Sequence, residues 1–215
     1  MKKITIALLI GLFSFSFFQA QAQDGAKFEI APMVGFQFGG HVNFYEGEFR
    51  IYDNMNYGGY ANVLIRPNTR VEFGYSIMST TASFRPYSTF VGDYAKWDGD
   101  VNVNYFFIGS MNELPVSEKV TLFAGASLGA AYMSVNTSGL QDVWRFAVGI
   151  GGGMKVMLSD RVGIRLQGRL LMPMYFAGVG FYAGIGTGGA SSGLSLNTGS
   201  VIFQGDFQGG LVFAF

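Results

Sequence analysis

Apolar residues recur at every second position along most of the chain, and this period-two pattern constrains the fold more than any other feature. Between Phe28 and Phe38 the even positions carry mostly large apolar side chains, and the odd positions carry small or polar ones. Such alternation indicates β-strands with one apolar face and one small or polar face. We predict eight strands, at residues 28–39, 57–65, 71–78, 101–108, 120–129, 145–156, 162–170 and 201–215.

The composition favours strands that face lipid. Only 13% of the residues are charged, whereas 22 are Phe and 11 are Tyr. A soluble β-sandwich, the alternative all-β fold, would need a far more charged outer face. The uncharged run at 170–205 contains Pro173 and many glycines, which argues against a membrane-spanning helix. Because lipid cannot hydrogen-bond an open sheet edge, we predict an all-β transmembrane antiparallel up-and-down β-barrel of eight strands.

The N-terminus has the three parts of a secretory signal peptide. Lys2 and Lys3 precede an apolar run at 4–18, and Ala20 and Ala22 supply the small residues of a cleavage site. We predict cleavage after Ala22, so that 1–22 is the signal peptide and 23–215 is the barrel; an N-terminal membrane anchor is the alternative. The chain has no cysteine, which excludes an acylated lipoprotein anchor and a thiolate metal site.

The predicted connections alternate between short and long. Short turns are expected at 67–69, 112–119 and 159–161, and longer connections at 41–56, 85–98, 135–143 and 173–200. Bacterial barrels have short periplasmic turns and long external loops, so both termini are predicted to be periplasmic. Pro32, inside the first strand, predicts a bulge or a late strand start. Segment 173–200 is either a loop or an extended hairpin, and its continued alternation favours the hairpin.

The last strand carries a resemblance to a known family. It alternates through Phe207, Leu211 and Phe213 and ends on Phe215, which is similar to the barrel-assembly signal of outer-membrane proteins. With the signal peptide, the strand number and the loop asymmetry, the chain resembles the porin-family outer-membrane β-barrel domain, in its small OmpA/OmpX-like group. The resemblance implies the outer membrane of a Gram-negative cell envelope, contact with lipid and lipopolysaccharide, and insertion by the barrel-assembly machinery. It does not imply a pore.

Several charged residues fall on the predicted inner face of the barrel. Because unpaired charges in a narrow lumen are costly, opposite signs should interleave, and Arg169 and Asp206 on the last two strands are expected to pair. The structural interpretation is a plug of ion pairs; a gated ion path or a catalytic network is the alternative. The predicted lumen charges are Glu29, Arg66, Glu72, Lys155, Arg165, Arg169 and Asp206.

Catalytic residues are hard to find in this sequence. His41 is the single histidine and lies at the outer end of the first predicted strand. Some small barrels that modify lipid A place a His beside a Ser or an Asp near this rim. The candidate partners Ser79, Ser83 and Asp93 cannot be placed from sequence. One histidine and no cysteine argue against a transition-metal site, so we predict no enzyme, no cofactor and no metal.

Aromatic residues suggest how the barrel contacts its surroundings. Those on the predicted lipid face should form girdles at the membrane interfaces: Phe36, Phe38, Phe73, Tyr75, Tyr105, Phe107, Phe213 and Phe215. The external loops are also aromatic and poor in charge, which suits either docking of another envelope component or packing of loops on one another. No basic cluster suggests nucleic acid. The function hypothesis is a non-enzymatic barrel with a structural, adhesive or docking role; the alternatives are a narrow pore for ions or small solutes, and a lipid A-modifying enzyme.

Overall fold

The structure, a computed structural model, describes residues 27–43, 47–87, 96–135, 142–186 and 189–215. The predicted signal peptide lies outside these residues. Within them no helix is long and apolar enough to cross a membrane. The described chain forms eleven β-strands: β1 (Phe28–Phe38), β2 (Gly40–Asn43), β3 (Gly47–Ile51), β4 (Asn54–Arg66), β5 (Thr69–Pro86), β6 (Trp97–Pro115), β7 (Val120–Val135), β8 (Val143–Met157), β9 (Val162–Gly186), β10 (Gly189–Val201) and β11 (Gln204–Ala214).

Eight of these strands close into a ring. Each pairs antiparallel with its neighbours in the order β1-β4-β5-β6-β7-β8-β9-β11, and β11 pairs with β1 to complete the circle. At the seam the Phe28 N–H donates to the Phe215 carbonyl (3.3 Å) and the Phe215 N–H donates to the Phe28 carbonyl (2.9 Å). Within the closed ring none of these eight strands has a free edge. The predicted fold, an antiparallel barrel of eight strands, is confirmed.

The two ends of the barrel differ. The end that holds Phe28 and Phe215, here called the terminal end, has short turns at 67–68, 116–119 and 158–161. Asn68 adopts a left-handed φ of 63° in the first turn, a conformation that Asn tolerates better than most residues.

At the opposite end, here called the loop end, the strands continue well past the closed ring. β5 has 18 residues, β6 has 19 and β9 has 25, whereas roughly 9–11 residues cross a bilayer. The predicted loops at 41–56 and 85–98 are therefore partly wrong, because they contain the β2–β3 hairpin and the ends of β5 and β6. For 173–200 the favoured hairpin is confirmed by the β9–β10 pairing.

Pro32 is accommodated differently from the prediction. The β1–β11 ladder pairs Ile30 with Phe213 and Met33 with Gly210, which is the same register on both sides of the proline. β1 begins at Phe28, so the strand neither bulges nor starts late at this point. Pro32 keeps its pairing with Gly59 of β4. The missing N–H is thus absorbed as a local interruption of one ladder.

The alternation correctly predicts which side chains point outward on seven of the eight strands of the ring. Phe36, Phe73, Leu128, Ile150 and Phe207 are among the large apolar side chains exposed on the outer face.

On β6 the predicted faces are reversed. Tyr105 and Phe107, predicted to face lipid, are 0% and 8% exposed and point into the barrel, whereas Phe106 and Ile108 point outward at 43% and 52% exposure. Both faces of this strand are apolar, so polarity alone cannot assign them.

The lumen has two chemically distinct halves. Toward the terminal end it is filled by charged and amide side chains, among them Arg165, Gln167 and Gln208. Toward the loop end it is lined by an apolar cluster that includes Ile51, Met78, Val101, Val103 and Phe107. The apolar cluster explains the reversed prediction on β6, because there the inner face is as apolar as the outer one.

Candidate functional site

Nearest the terminal end, four charges from four strands form one neutral cluster. Lys155 Nζ lies 2.9 Å from both carboxylate oxygens of Glu29 and also contacts Glu113. Arg70 bridges the same carboxylates, with Nη2 3.2 Å from Glu29 and Nε 2.9 Å from Glu113. Each of the four side chains is less than a tenth exposed. Two cations balance two anions, which is the arrangement that makes burial of charge tolerable.

A second ion pair crosses the middle of the lumen. Arg165 Nη2 on β9 lies 2.6 Å from Glu72 Oε2 on β5, and its Nε donates to Gln167 (2.9 Å). The guanidinium also lies 4.5 Å from the centre of the Phe123 ring, a cation–π contact. Asn62 completes the layer when its amide is oriented with the oxygen toward Arg165: it then donates to Glu72 (2.9 Å) and accepts from Arg165 (2.9 Å).

The third charged layer is the pair that the sequence predicts. Arg169 and Asp206 are directly opposite in the β9–β11 ladder. Arg169 donates from Nε to Asp206 Oδ1 (3.0 Å) and from Nη2 to Oδ2, a two-point contact. Asp206 also accepts from Asn56 Nδ2 (2.8 Å), and Arg169 Nη2 donates to Ser76 Oγ (3.2 Å). The expected pairing is therefore present in the structure.

Amide and phenol groups link these charged layers. Tyr60 Oη donates to Gln208 Oε1 (2.6 Å), which also accepts from Gln167 Nε2 (2.8 Å). Gly74 leaves room for the Tyr60 ring, since a Cβ at that position would lie 2.9 Å from two ring carbons. Where the polar half meets the apolar half, Gln204 Oε1 accepts from Tyr105 Oη and from Gln37 Nε2 (3.2 Å).

Contacts at three depths span the full diameter of the ring. In the ring order β5 stands four places from β9, and β6 stands four places from β11, so each pair lies on opposite walls. Arg165–Glu72 and Arg169–Ser76 connect β9 to β5, and Tyr105–Gln204 connects β6 to β11. Side chains from opposite walls thus meet in the lumen, as expected for so narrow a barrel.

Most of the predicted lumen charges point inward, and one does not. The inward ones are Glu29, Glu72, Lys155, Arg165, Arg169 and Asp206. Arg66 is exposed at the terminal end, so the prediction that it lies in the lumen is wrong. The ladder between β4 and β5 shifts register between Leu64 and Arg66, which takes Arg66 out of the alternation beside the turn.

Sequence reasoning missed two members of the four-charge cluster. Arg70 shares the inward period of Glu72 but lies between the turn predicted at 67–69 and the strand predicted at 71–78. Glu113 was assigned to a turn because β6 was predicted to end at residue 108, whereas it runs to Pro115. The reversed face of β6 would in any case have pointed Glu113 toward lipid. Extending the alternation of β5 to its turn would have placed Arg70 beside Glu72 on the inner face. For Glu113 the signal is its charge, because a carboxylate is costly on a lipid-facing side and therefore favours an inward odd face on β6.

His41 is not positioned as a general base for the candidate serines. It is exposed on β2 and pairs with Arg50 of β3, which in turn pairs with Ser83 of β5. His41 and Ser83 are thus two strands apart, roughly 10 Å and beyond hydrogen-bond reach. Ser79 Oγ donates instead to Asn102 (2.7 Å), and Asp93 lies outside the described residues. Across the described chain no three His, Cys, Asp or Glu side chains group to hold a metal ion.

The outer surface changes character toward the loop end. Aromatic rings line up around Trp144, with Phe106 at 5.9 Å and Tyr132 at 4.6 Å between ring centres. Beyond this row, outward side chains of β5 and β6 are hydrogen-bonded polar pairs such as Ser79–Asn102. On the β2–β3 hairpin, hydrogen bonds from Arg50 (3.1 and 2.8 Å) lower the pKa of Glu48.

A closed antiparallel barrel of eight strands with an apolar outer face and a charged lumen has the fold of the small outer-membrane β-barrels. Two solved structures of this class are similar to it along most of both chains. Neisserial surface protein A matches with a TM-score of 0.54 and 13% identity, over 88% of this chain and 98% of that one. The outer membrane protein OprG from Pseudomonas aeruginosa matches with a TM-score of 0.55 and 9% identity, over 90% and 97%.

A weaker likeness is to the outer membrane protease OmpT from Escherichia coli. Its TM-score is 0.46 at 10% identity, over 92% of this chain and 99% of that one. No protein-family model matches the sequence, and no curated protein matches it in sequence. At their identities, Neisserial surface protein A and OprG establish a shared fold and not a shared activity.

Proposed function

We propose that this protein is a non-enzymatic integral outer-membrane barrel that docks another envelope component, lipopolysaccharide or a protein, through its loop end. In this proposal the terminal end faces the periplasm and the loop end faces outward. The observation that carries it is the set of buried contacts joining opposite walls at three depths of the lumen. A lumen filled in this way makes the barrel a rigid scaffold, and the loop end is then the surface that binds the partner.

The length of the strands supports a docking role. β5 and β6 pair from Thr69–Asn112 to Phe84–Trp97, far more than the roughly 9–11 residues that a bilayer requires. The aromatic row around Trp144 suits a membrane interface, and the strands beyond it have polar outward side chains. The barrel therefore projects a stiff, paired sheet above the membrane, which is suited to holding a partner.

We expect the refolded protein to be electrically silent in planar lipid bilayers. The Arg165–Glu72 and Arg169–Ser76 contacts join opposite walls in the polar half of the lumen, and we expect them to block the passage of ions. Truncating a crossing pair without changing net charge, with Glu72→Ala and Arg165→Ala together, should introduce small discrete conductance steps. The matched control is Glu48→Ala with Arg50→Ala, which removes an exposed pair outside the lumen and should stay silent. Steps in the unmodified protein that disappear on changing Arg169 or Asp206 would favour the narrow pore instead.

A second prediction concerns insertion by the barrel-assembly machinery. Phe215→Ala should reduce the amount of assembled barrel in the outer membrane several-fold, because the terminal aromatic is the part of the strand that resembles the assembly signal. Phe203→Ala is the control, since Phe203 is 61% exposed on the outer face, close to the 59% of Phe215, but lies outside the signal. Assembly is measured by the mobility difference between heated and unheated samples on a gel. Equal assembly of both variants would remove Phe215 from the signal.

A further inference from the structure

We propose that the β9–β10 hairpin binds an extended segment of a partner protein, which adds as a third strand along the open edge of β10. Among the described residues β10 pairs with β9 and with no other strand of the sheet. Strand addition to an exposed sheet edge is a common mode of peptide recognition, in which backbone hydrogen bonds supply the affinity. The proposal rests on the docking role and specifies which part of the loop end holds a protein partner.

The open edge is long and regular. The β9–β10 ladder runs from Gly189–Gly186 to Asn197–Gly178 without a register shift. Within the described residues β9 pairs with β8 only as far as Met174, so the hairpin extends beyond the closed ring. A two-stranded hairpin is only marginally stable by itself, and a third strand is what such a sheet needs for independent stability.

The hairpin lacks the features that usually protect an edge. Exposed edge strands tend to carry charges or prolines that prevent pairing with another chain. Other strands at the loop end do carry charges, for example Glu48 and Arg50 on β3 and Asp98 on β6, whereas the sequence at 174–201 has neither a charged residue nor a proline. The edge of β10 is therefore open to a further strand.

The register of the hairpin defines the chemistry of the partner segment. Leu194 is opposite Phe181 in the ladder. Leu196 is opposite Val179, so one face of the hairpin is apolar, and the other face is composed mainly of glycine and serine. Because side chains alternate between the two faces of a strand, an added strand matches both faces when every second residue is apolar and the residues between are small or polar.

A second copy of the chain fits this edge poorly. Two barrels in one membrane share the same orientation, so the two-fold axis that relates them lies along the membrane normal. The strands of such barrels tilt by roughly 35–45° from that normal. Rotation about the normal therefore makes two copies of β10 cross at a wide angle instead of lying side by side. A segment of another protein has no such constraint.

The test measures amide hydrogen exchange by NMR on the full barrel in lipid nanodiscs, with and without a synthetic peptide that alternates valine and threonine. The peptide is N-methylated at every second residue, which blocks one of its edges and prevents fibre formation. We expect exchange to slow at least tenfold at alternate amides of β10, those that point away from β9. The amides of β2 are the control, because β2 also ends the sheet but has only four residues, and their exchange should not change.

Three comparisons test the mode of binding. A fully N-methylated peptide of the same sequence has no backbone donor and should bind at least tenfold more weakly. A peptide with lysine in place of valine loses the match to the apolar face and should be weakened to a similar extent. Replacing residues 176–199 with an Asn-Gly turn joins Tyr175 to Ser200, which already pair, and leaves the ring intact. This variant should lose peptide binding, and heat-dependent gel mobility verifies that its ring is folded.

Unchanged exchange in β10, equal binding of the two N-methylated peptides, or binding that survives removal of the hairpin would each overturn the proposal. So would a wild-type protein that is dimeric in detergent by light scattering while the variant without the hairpin is monomeric, because a second copy would then occupy the edge. The conductance recording in planar bilayers tests the proposed function independently, since the lumen contacts lie outside the hairpin.

Discussion

Replacing Asp206 with alanine is expected to lower the free energy of unfolding by about 3–5 kcal/mol, the usual cost of leaving a buried partner charge uncompensated. The Asp206 side chain is 0% exposed and that of Arg169 is 10% exposed. Without the carboxylate, the partners that remain to Arg169 among the described residues are the Ser76 hydroxyl and the Tyr60 ring, 5.2 Å away. The Asn56 amide also loses its acceptor on Asp206. The measurement is equilibrium urea unfolding of the barrel in phospholipid vesicles.

Two comparisons separate charge from packing. The double variant Asp206→Ala with Arg169→Met removes both charges and should recover most of the loss, since an apolar pair of similar volume can replace a buried ion pair. Glu48→Ala breaks the exposed Glu48–Arg50 pair and should leave the unfolding curve unchanged, because water and salt screen such pairs. If the double variant were as unstable as the single one, the loss would come from the lost volume and not from the stranded charge.

The sequence was sufficient for the fold wherever the inner face is small or polar. On β9, Arg165, Gln167 and Arg169 alternate with Ile164, Leu166 and Leu170, and only one assignment of faces keeps the charges out of lipid. The same logic placed Asp206 on the inner face of β11, opposite Arg169. Period, polarity and strand order together therefore predicted a long-range contact.

The same logic failed where the inner face is apolar. Phe106 and Ile108 on one face of β6 are as apolar as Tyr105 and Phe107 on the other, so the choice depends on the three-dimensional environment. The apolar cluster that buries Tyr105 draws residues from distant strands, including Ile51 and Leu171. For this reason the apolar half of the lumen at the loop end could not be predicted from the sequence. The residues of its wall show the same alternation as an ordinary lipid-facing strand.

Replacing Ile150 with arginine is expected to destabilise the barrel by about 2–4 kcal/mol, the cost of a charged side chain at the bilayer midplane on the lipid face of a barrel. Ile150 is 53% exposed on the outer face of β8. It lies midway between Trp144, in the aromatic row, and Val156, beside the terminal-end turn. Its neighbours across the two ladders are Ala126 and Leu170, so an arginine there has apolar surroundings and a long path to either interface.

The control for Ile150→Arg is Leu158→Arg, which tests whether the cost of the charge depends on its depth in the membrane. Leu158 is 61% exposed in the turn after β8, where an arginine should cost only about 0–1 kcal/mol because its charge reaches water. Urea unfolding in vesicles gives both values. In detergent micelles of short chain length the difference should shrink, since the apolar layer is thinner and more easily deformed. Equal stability of the two variants in vesicles would mean that the outer face of β8 does not contact hydrocarbon, and the placement of this barrel in a membrane would then be wrong.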